Sequence, residues 1–199
     1  MVLNLIRKKF ITSVVTFGIA ICCGGTMLAA EDIKEREASA REAIKSLSEN
    51  LKEYLKAGLE AEIDAEEKLL MCKEGAAEAT SHENQERLFS IGRTSLKLRN
   101  PANAPDEWEY AILQKFQERK DSGEDAATLQ HSEIVETNGK RYFRYMKAIP
   151  AGRVCLICHG TNIQPELVVA LRKIYPQDEA RGFTIGDIRG AFTVSQALE

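Results

Sequence analysis

The sequence lacks what a nucleic-acid-binding protein needs. Its 27 Lys and Arg are outnumbered by 30 Asp and Glu, the formal charge is −3, and it has no basic stripe or stacking platform. Little is there to attract a polyphosphate backbone, so no nucleic-acid partner is expected. Internal repeats and low-complexity tracts are missing too, and nothing suggests wholesale disorder. Long apolar runs are scarce. One uncharged, largely apolar run, Phe10 to Cys23, stands near the N-terminus, shorter than the ~20 residues a spanning helix needs. With 44% hydrophobic and 29% charged residues among 199, the rest reads as an ordinary globular domain with a helical arm.

The run at the N-terminus has the order of a secretory signal. Arg7, Lys8 and Lys9 precede it, small residues follow, and Leu28-Ala29-Ala30 stands before Glu31. Residues 1–30 are therefore expected to be a signal peptide cut after Ala30, which makes the mature protein periplasmic. The rival is an uncleaved anchor; lipid attachment at Cys22 or Cys23 is disfavoured by Ile21 and Cys22. Cleavage removes three basic residues and no acidic one, moving the charge from −3 to −6. It also leaves Cys72, Cys155 and Cys158, an odd number for a disulfide framework in an oxidising compartment.

Residues 31–80 read as a long helical arm. Proline is absent, charge is dense, and Ile44, Leu47, Leu51, Leu55 and Leu59 recur at spacings of three and four. Residues 81–199 read as the domain proper, one unit with the arm. Phe89 to Leu98 has strand-like content and runs into an Asn-Pro-rich loop. Asp106 caps a helix to Arg119. Asn138-Gly139, between Glu133–Thr137 and Lys140–Ile149, suits a type I′ hairpin turn. Pro165 opens a helix to Tyr175, and Ile188 to Gln196 closes the chain as a strand.

Cys155-Leu156-Ile157-Cys158-His159 is the C-x-x-C-H signature of covalent haem attachment. The spacing suits the chemistry: two thiols reach the two vinyl groups at one porphyrin edge, and the next residue places an imidazole over the iron. Cys155 and Cys158 are thus the expected thioether links of one haem c, and His159 the proximal iron ligand. A Cys₃His zinc site from Cys72, Cys155, Cys158 and His159 is the main rival. Export, the adjacency of Cys158 and His159, and the lack of a second Cys-x-x-Cys pair oppose it. A redox-active dithiol is opposed by the lack of a thioredoxin-like pattern.

The residues leave the sixth iron position open among Cys72, Met71, Met146, His82, His131, water and nothing. Cys72 is the one thiol left over, although a free Cys is commonly a small buried hydrophobe. On one straight helix over 44–72, Cys72 falls near the edge of the Leu51/Leu55 stripe. His82 and His131 read as solvated.

Several longer stretches carry a resemblance. They are Cys72-Lys73-Glu74-Gly75-Ala76, the run Arg93 to Glu109, Tyr142 to Ile149, Cys155 to Gly160, Tyr175 to Gly182 and Gly186 to Phe192. From about residue 40 to its end the chain resembles the family of exported, single-haem, PAS-like cytochromes, long catalogued as a domain of unknown function. The resemblance implies an α+β fold with a PAS-like antiparallel sheet, flanking helices and a long N-terminal helix. It also implies six-coordinate haem iron held by His159 and Cys72, and a role in redox or small-molecule sensing or in electron transfer. Family members often carry Pro soon after the ligand Cys, where this chain has Gly75-Ala76-Ala77.

A thiolate cancels the net +1 of a ferric porphyrin core, so a low potential and a ferric resting state are expected. Arg93 and Arg99 are candidates to pair with haem propionates or buried carboxylates, or simply to fix the Asn-Pro-rich loop. Trp108 is expected in the core or the haem-pocket wall. The leading expectation is a periplasmic sensor of redox state or of NO or CO, signalling through an unidentified protein partner. A low-potential electron-transfer cytochrome is the alternative. With one doubly ligated haem and no distal acid–base pair, an enzyme is not expected.

Overall fold

The computed structural model describes Gly24–Leu198, with side chains from Asp32 onward. Residues 1–23 of the expected signal peptide lie outside the described residues. Two helices, α1 (Gly24–Glu60) and α2 (Ala65–Gln85), come first. Then follow β1 (Ser90–Thr94), α3 (Glu107–Asp121), the hairpin β2 (Gln130–Thr137) and β3 (Lys140–Pro150), α4 (Leu156–His159), α5 (Pro165–Ile174) and β4 (Ile188–Leu198). The four strands form one antiparallel sheet in the order β1-β4-β3-β2. The expected α+β architecture, with flanking helices and a long N-terminal helix, is the one observed. Among the described residues no helix is long and apolar enough to cross a membrane.

The β2–β3 turn forms as expected, with φ of 54° at Asn138 and 71° at Gly139. Asp106 caps α3 in a reciprocal capping box with Glu109. Alternation along β3 then sorts the sheet into two faces. Phe143 and Tyr145, with Phe192 and Val194 of β4, pack beneath Ala40, Ala43, Ile44 and Leu47 of α1. Met146, Ala148 and Ala191 face the other way, onto Ile112, Leu113 and Phe116 of α3. A fully buried Leu or Phe here is worth roughly 1.5–3 kcal/mol, so these two layers hold the domain together.

The arm departs from the sequence reading. It is not one straight helix over 31–80 but two helices, broken at residues 61–64, with α2 folding back along α1. Asp64 starts α2 by accepting from the backbone N–H groups of Glu66 and Glu67, and Glu67 reaches back to the Asp64 N–H. The Asp-x-x-Glu box was the available signal, hidden in a run of good helix formers. The fold-back divides the leucine stripe. Ile44 and Leu47 serve the sheet core, whereas Leu55 and Leu59 line a cleft shared with α2.

Candidate functional site

The strand β3 ends at Pro150, and the chain enters a short 3-10 turn, Arg153–Cys155, that continues into α4. Helical geometry puts residues three and four apart on one face. Cys155, Cys158 and His159 therefore share one side of a single turn.

That turn is braced by segments far away in sequence. The Arg99 guanidinium donates to the Cys158 carbonyl at 2.5 Å and to both carboxylate oxygens of Asp178 at 3.0 and 3.2 Å. Arg181 takes the same carboxylate at 2.7 Å. The N–H groups of Gly182 and Phe183 donate to the carbonyls of Gly160 and His159 at 3.1 and 3.0 Å. Asp178 is 1% exposed and Arg99 11%. Burial pushes the Asp178 carboxyl up, but its bonds to Arg99 and Arg181 more than reverse this and hold it below the usual range. Of the roles weighed for Arg99, pairing with a buried carboxylate is the one observed.

His159 is fixed by its Nδ1, 2.7 Å from the Ala180 carbonyl. Arg189 Nε lies 3.2 Å from the same nitrogen. The Ala180 carbonyl can only accept and Arg189 Nε can only donate, so the two compete for Nδ1; the shorter contact favours the proton on Nδ1, with the lone pair on Nε2 and no hydrogen bond from Arg189. Burial, then the charges of Arg189 and Arg99, push the imidazole down to about 3, so the ring is neutral near pH 7. The Phe183 ring meets it edge-on, centroids 6.3 Å apart.

Cys72 reaches the same place from α2. With Cys158 and Ile157 it lines a cleft of about 270 Å³, walled by Leu55, Leu59, Ile63, Leu69 and Leu167. Close helix packing puts it there. A Cβ on Gly58 of α1 would lie 2.8 Å from Cys72 Sγ, and one on Gly75 would lie 2.2 Å from Tyr54 Cδ1. Gly75 thus receives the Tyr54 ring, and α2 runs unbroken through Gly75-Ala76-Ala77. Burial pushes both Cys72 and Cys158 thiols up. Among the described residues no three His, Cys, Asp or Glu converge on one metal position, so the tetrahedral Cys₃His arrangement is not assembled.

Other candidates lie elsewhere. Met146 is fully buried against α3, on the other face of the sheet. Met71 is not among the residues lining the cleft. His82 is exposed on α2, and His131 pairs with Glu133 at 3.1 Å beside Trp108. Trp108 packs at the edge of the α3 layer and donates its indole N–H to Glu133 at 2.7 Å. It is no wall of the cleft. Sequence reasoning missed Asp178, Ala180 and Arg189 as neighbours of the motif. The one signal was that two stretches of the resemblance, Tyr175 to Gly182 and Gly186 to Phe192, contain them.

The fold is similar to that of a solved protein described as the cyanobacterial heme-protein Tll0287, with a TM-score of 0.62 and 20% identity, covering 83% of this chain and 96% of that one. No match is found among curated proteins. The Tll0287-like family model matches residues 28–197, nearly the whole of the chain described above. The chain belongs to the Tll0287-like family.

Proposed function

We propose that this protein is an exported, single-haem c-type cytochrome that senses redox state or a small gas such as NO or CO. The observation that carries the reading is that Cys72, more than eighty residues from the C-x-x-C-H turn, lines one largely apolar cleft with Ile157 and Cys158 of that turn. The heme-protein description of the family's solved member supports the same cofactor.

The residues fit the group. Two thiols three residues apart sit on one helical turn, the imidazole keeps Nε2 free, and the cleft lining is mostly apolar, with Lys68, Gln164 and Glu166 the polar members. Cys155 and Cys158 would each add S–H across a vinyl double bond, forming a C–S bond with the hydrogen passing to the vinyl carbon. His159 Nε2 would be the proximal ligand and Cys72 Sγ the distal one. Bound haem supplies one-electron chemistry and an iron able to exchange an axial ligand. The Ala180 carbonyl orients His159 and keeps its proton on Nδ1. Leu55, Leu59, Leu69 and Leu167 keep water from the cleft. With His159 and Cys72 as its two ligands the iron would offer no open catalytic position, and the protein is read as a non-enzyme acting through a protein partner in the periplasm.

A second reading, low-potential electron transfer, is favoured by one observation. Val154 and Ile157 are each 43% exposed at the attachment turn, which brings the expected haem edge close to the surface. The deciding experiment compares ferric and dithionite-reduced visible spectra of protein made with a haem-attachment system, beside Cys72→Ala. Covalent haem whose ferric thiolate features vanish in the variant establishes the ligand pair and favours the sensor. Covalent haem with unchanged spectra favours simple electron transfer. A wild type without haem overturns the reading.

A further inference from the structure

The arginines near the attachment turn are engaged in different ways. Arg99 and Arg181 share one carboxylate, Asp178. Arg93 stands on β1 opposite Phe192 of β4. Arg189, at the start of β4, is the one that meets the imidazole. Its Nε lies 3.2 Å from His159 Nδ1, and its Nη1 donates to Ser95 Oγ at 3.1 Å and to the Lys97 carbonyl at 3.4 Å. Its guanidinium carbon is 5.5 Å from the centroid of the Phe183 ring, the same ring that meets His159 edge-on. Ser95 is itself held in place: it is 7% exposed, its hydroxyl lies 2.8 Å from the Arg189 carbonyl, and it accepts the Lys97 N–H at 3.2 Å. The guanidinium is thus clamped between two oxygens and a ring face, with its remaining edge at the imidazole.

Among the described residues no carboxylate pairs with Arg189, and Asp178 is already shared by Arg99 and Arg181. A half-buried guanidinium without a counter-ion is costly, and a neutral donor could tie Ser95 to the Lys97 carbonyl without that cost. What the charge adds is an effect on the imidazole. The Nδ1 proton goes to the Ala180 carbonyl at 2.7 Å, so Arg189 acts on the ring as a charge and not as a donor. A carbonyl acceptor makes the ring more electron-rich and a stronger donor at Nε2. A cation at the same nitrogen opposes that build-up of negative charge. The two groups at Nδ1 therefore pull in opposite directions, and charge and hydrogen bonding beside an axial ligand are levers on the potential of haem iron.

We propose that Arg189, clamped by Ser95, the Lys97 carbonyl and Phe183, limits electron donation by His159 and so holds the reduction potential above the value that the His159/Cys72 pair would set without it. The role rests on the haem reading above. Arg189 acts through His159 and is a positioning residue in that sense. On reduction the iron gains one electron and its surroundings one negative charge, and a fixed guanidinium stabilises that state more than the ferric one.

The test uses the full chain with attached haem, as wild type, Arg189→Gln, Arg189→Lys and Ser95→Ala. Haem stain on a denaturing gel first establishes attachment, which tests the underlying reading separately. A redox titration then gives the midpoint, and ferric EPR follows the axial ligands. Arg189→Gln should shift the g values and lower the ferrous-to-ferric ratio at fixed potential about tenfold, a midpoint fall of ~59 mV. Arg189→Lys loses the same fork but keeps a cation, so its midpoint should stay closer to wild type than to Arg189→Gln. A purely structural tie would move the two variants together. Ser95→Ala removes one clamping oxygen and leaves every charge in place, and should lower the same ratio by about threefold. Attached haem with the midpoint unmoved in Arg189→Gln, or moved equally in both Arg189 variants, overturns the role and leaves the haem reading standing. Should Arg189→Gln take up no haem, Ser95→Ala decides: a fall supports the role, and an unmoved midpoint overturns it. Absence of haem from the wild type overturns both.

Discussion

The two walls of the cleft are built differently. The wall formed by the turn of Cys155, Cys158 and His159, which lines the cleft through Ile157 and Cys158, is tied by hydrogen bonds at Cys155, Cys158, His159 and Gly160, with Arg99 and Asp178 beside it. The wall carrying Cys72 is a helical hairpin. Within residues 68–76 no side-chain hydrogen bond reaches α1 among the described residues, and the contacts are Gly58 against Cys72, Tyr54 against Gly75, and Leu69 against Ala170 and Leu171 of α5. Its polar ties lie elsewhere, at the Ser46–Glu83 bond, at the paired bonds between Asn84 and Ile91, and at Lys173–Glu66 on the surface. Hydrogen bonds are directional, whereas apolar contacts tolerate sliding. A protein that keeps one iron ligand and releases the other would need this asymmetry.

The comparison breaks most severely at Asp178. Asp178→Asn removes the charge shared by Arg99 and Arg181, leaving a buried guanidinium uncompensated, with an expected loss of about 3–5 kcal/mol in urea unfolding. The sign of the pH dependence follows from the depressed carboxyl. Its contribution is complete above the ordinary carboxylate value of about 3.9 and is lost as pH falls through the lower folded value. Wild-type stability should therefore fall more steeply with acid than that of the variant. Equal slopes would show that Asp178 does not brace the turn.

A smaller change acts on the other wall. Gly58→Ala adds a methyl 2.8 Å from Cys72 Sγ while restoring about 1 kcal/mol of helix propensity. Stability should stay within about 1 kcal/mol of wild type, and the ferric spectrum should move toward that of Cys72→Ala. An unchanged spectrum would separate Cys72 from the ligand role. The smallest effect is expected at Lys173→Ala. Its 2.6 Å pair with Glu66 joins α5 to α2 at 68% and 37% exposure, and loss should cost no more than about 1 kcal/mol by thermal unfolding, with the spectrum unmoved. A larger loss would mean that polar ties also hold the hairpin.

Much of the fold was legible because its signals are local. Asn138-Gly139 and the alternation around it defined a hairpin, Asp106 opened α3, and Pro165 opened α5. The break between α1 and α2 was not legible, because apolar spacing continues through it and its one marker is a surface capping box. Cys155, Cys158 and His159 could be read as a unit because they occupy one helical turn. Asp178, Ala180 and Arg189 could not, nor could Asp178 be named as the carboxylate that Arg99 meets, since nothing in a linear chain says that residues eighty apart meet. For Trp108 the sequence left core and pocket wall open, and the structure packs it against the α3 core, because size predicts burial but not which layer.

The sequence by itself determined the elements, the two faces of the sheet and the chemistry available at the C-x-x-C-H turn, all of which follow from propensity, periodicity and spacing over a few residues. Only the tertiary structure decided that α2 turns back to bring Cys72 beside Cys158, that Arg99 belongs to Asp178, and that Arg189 stands against His159. Those outcomes depend on which surfaces pack together, and packing is settled by the shape and charge of the whole domain rather than by any one segment.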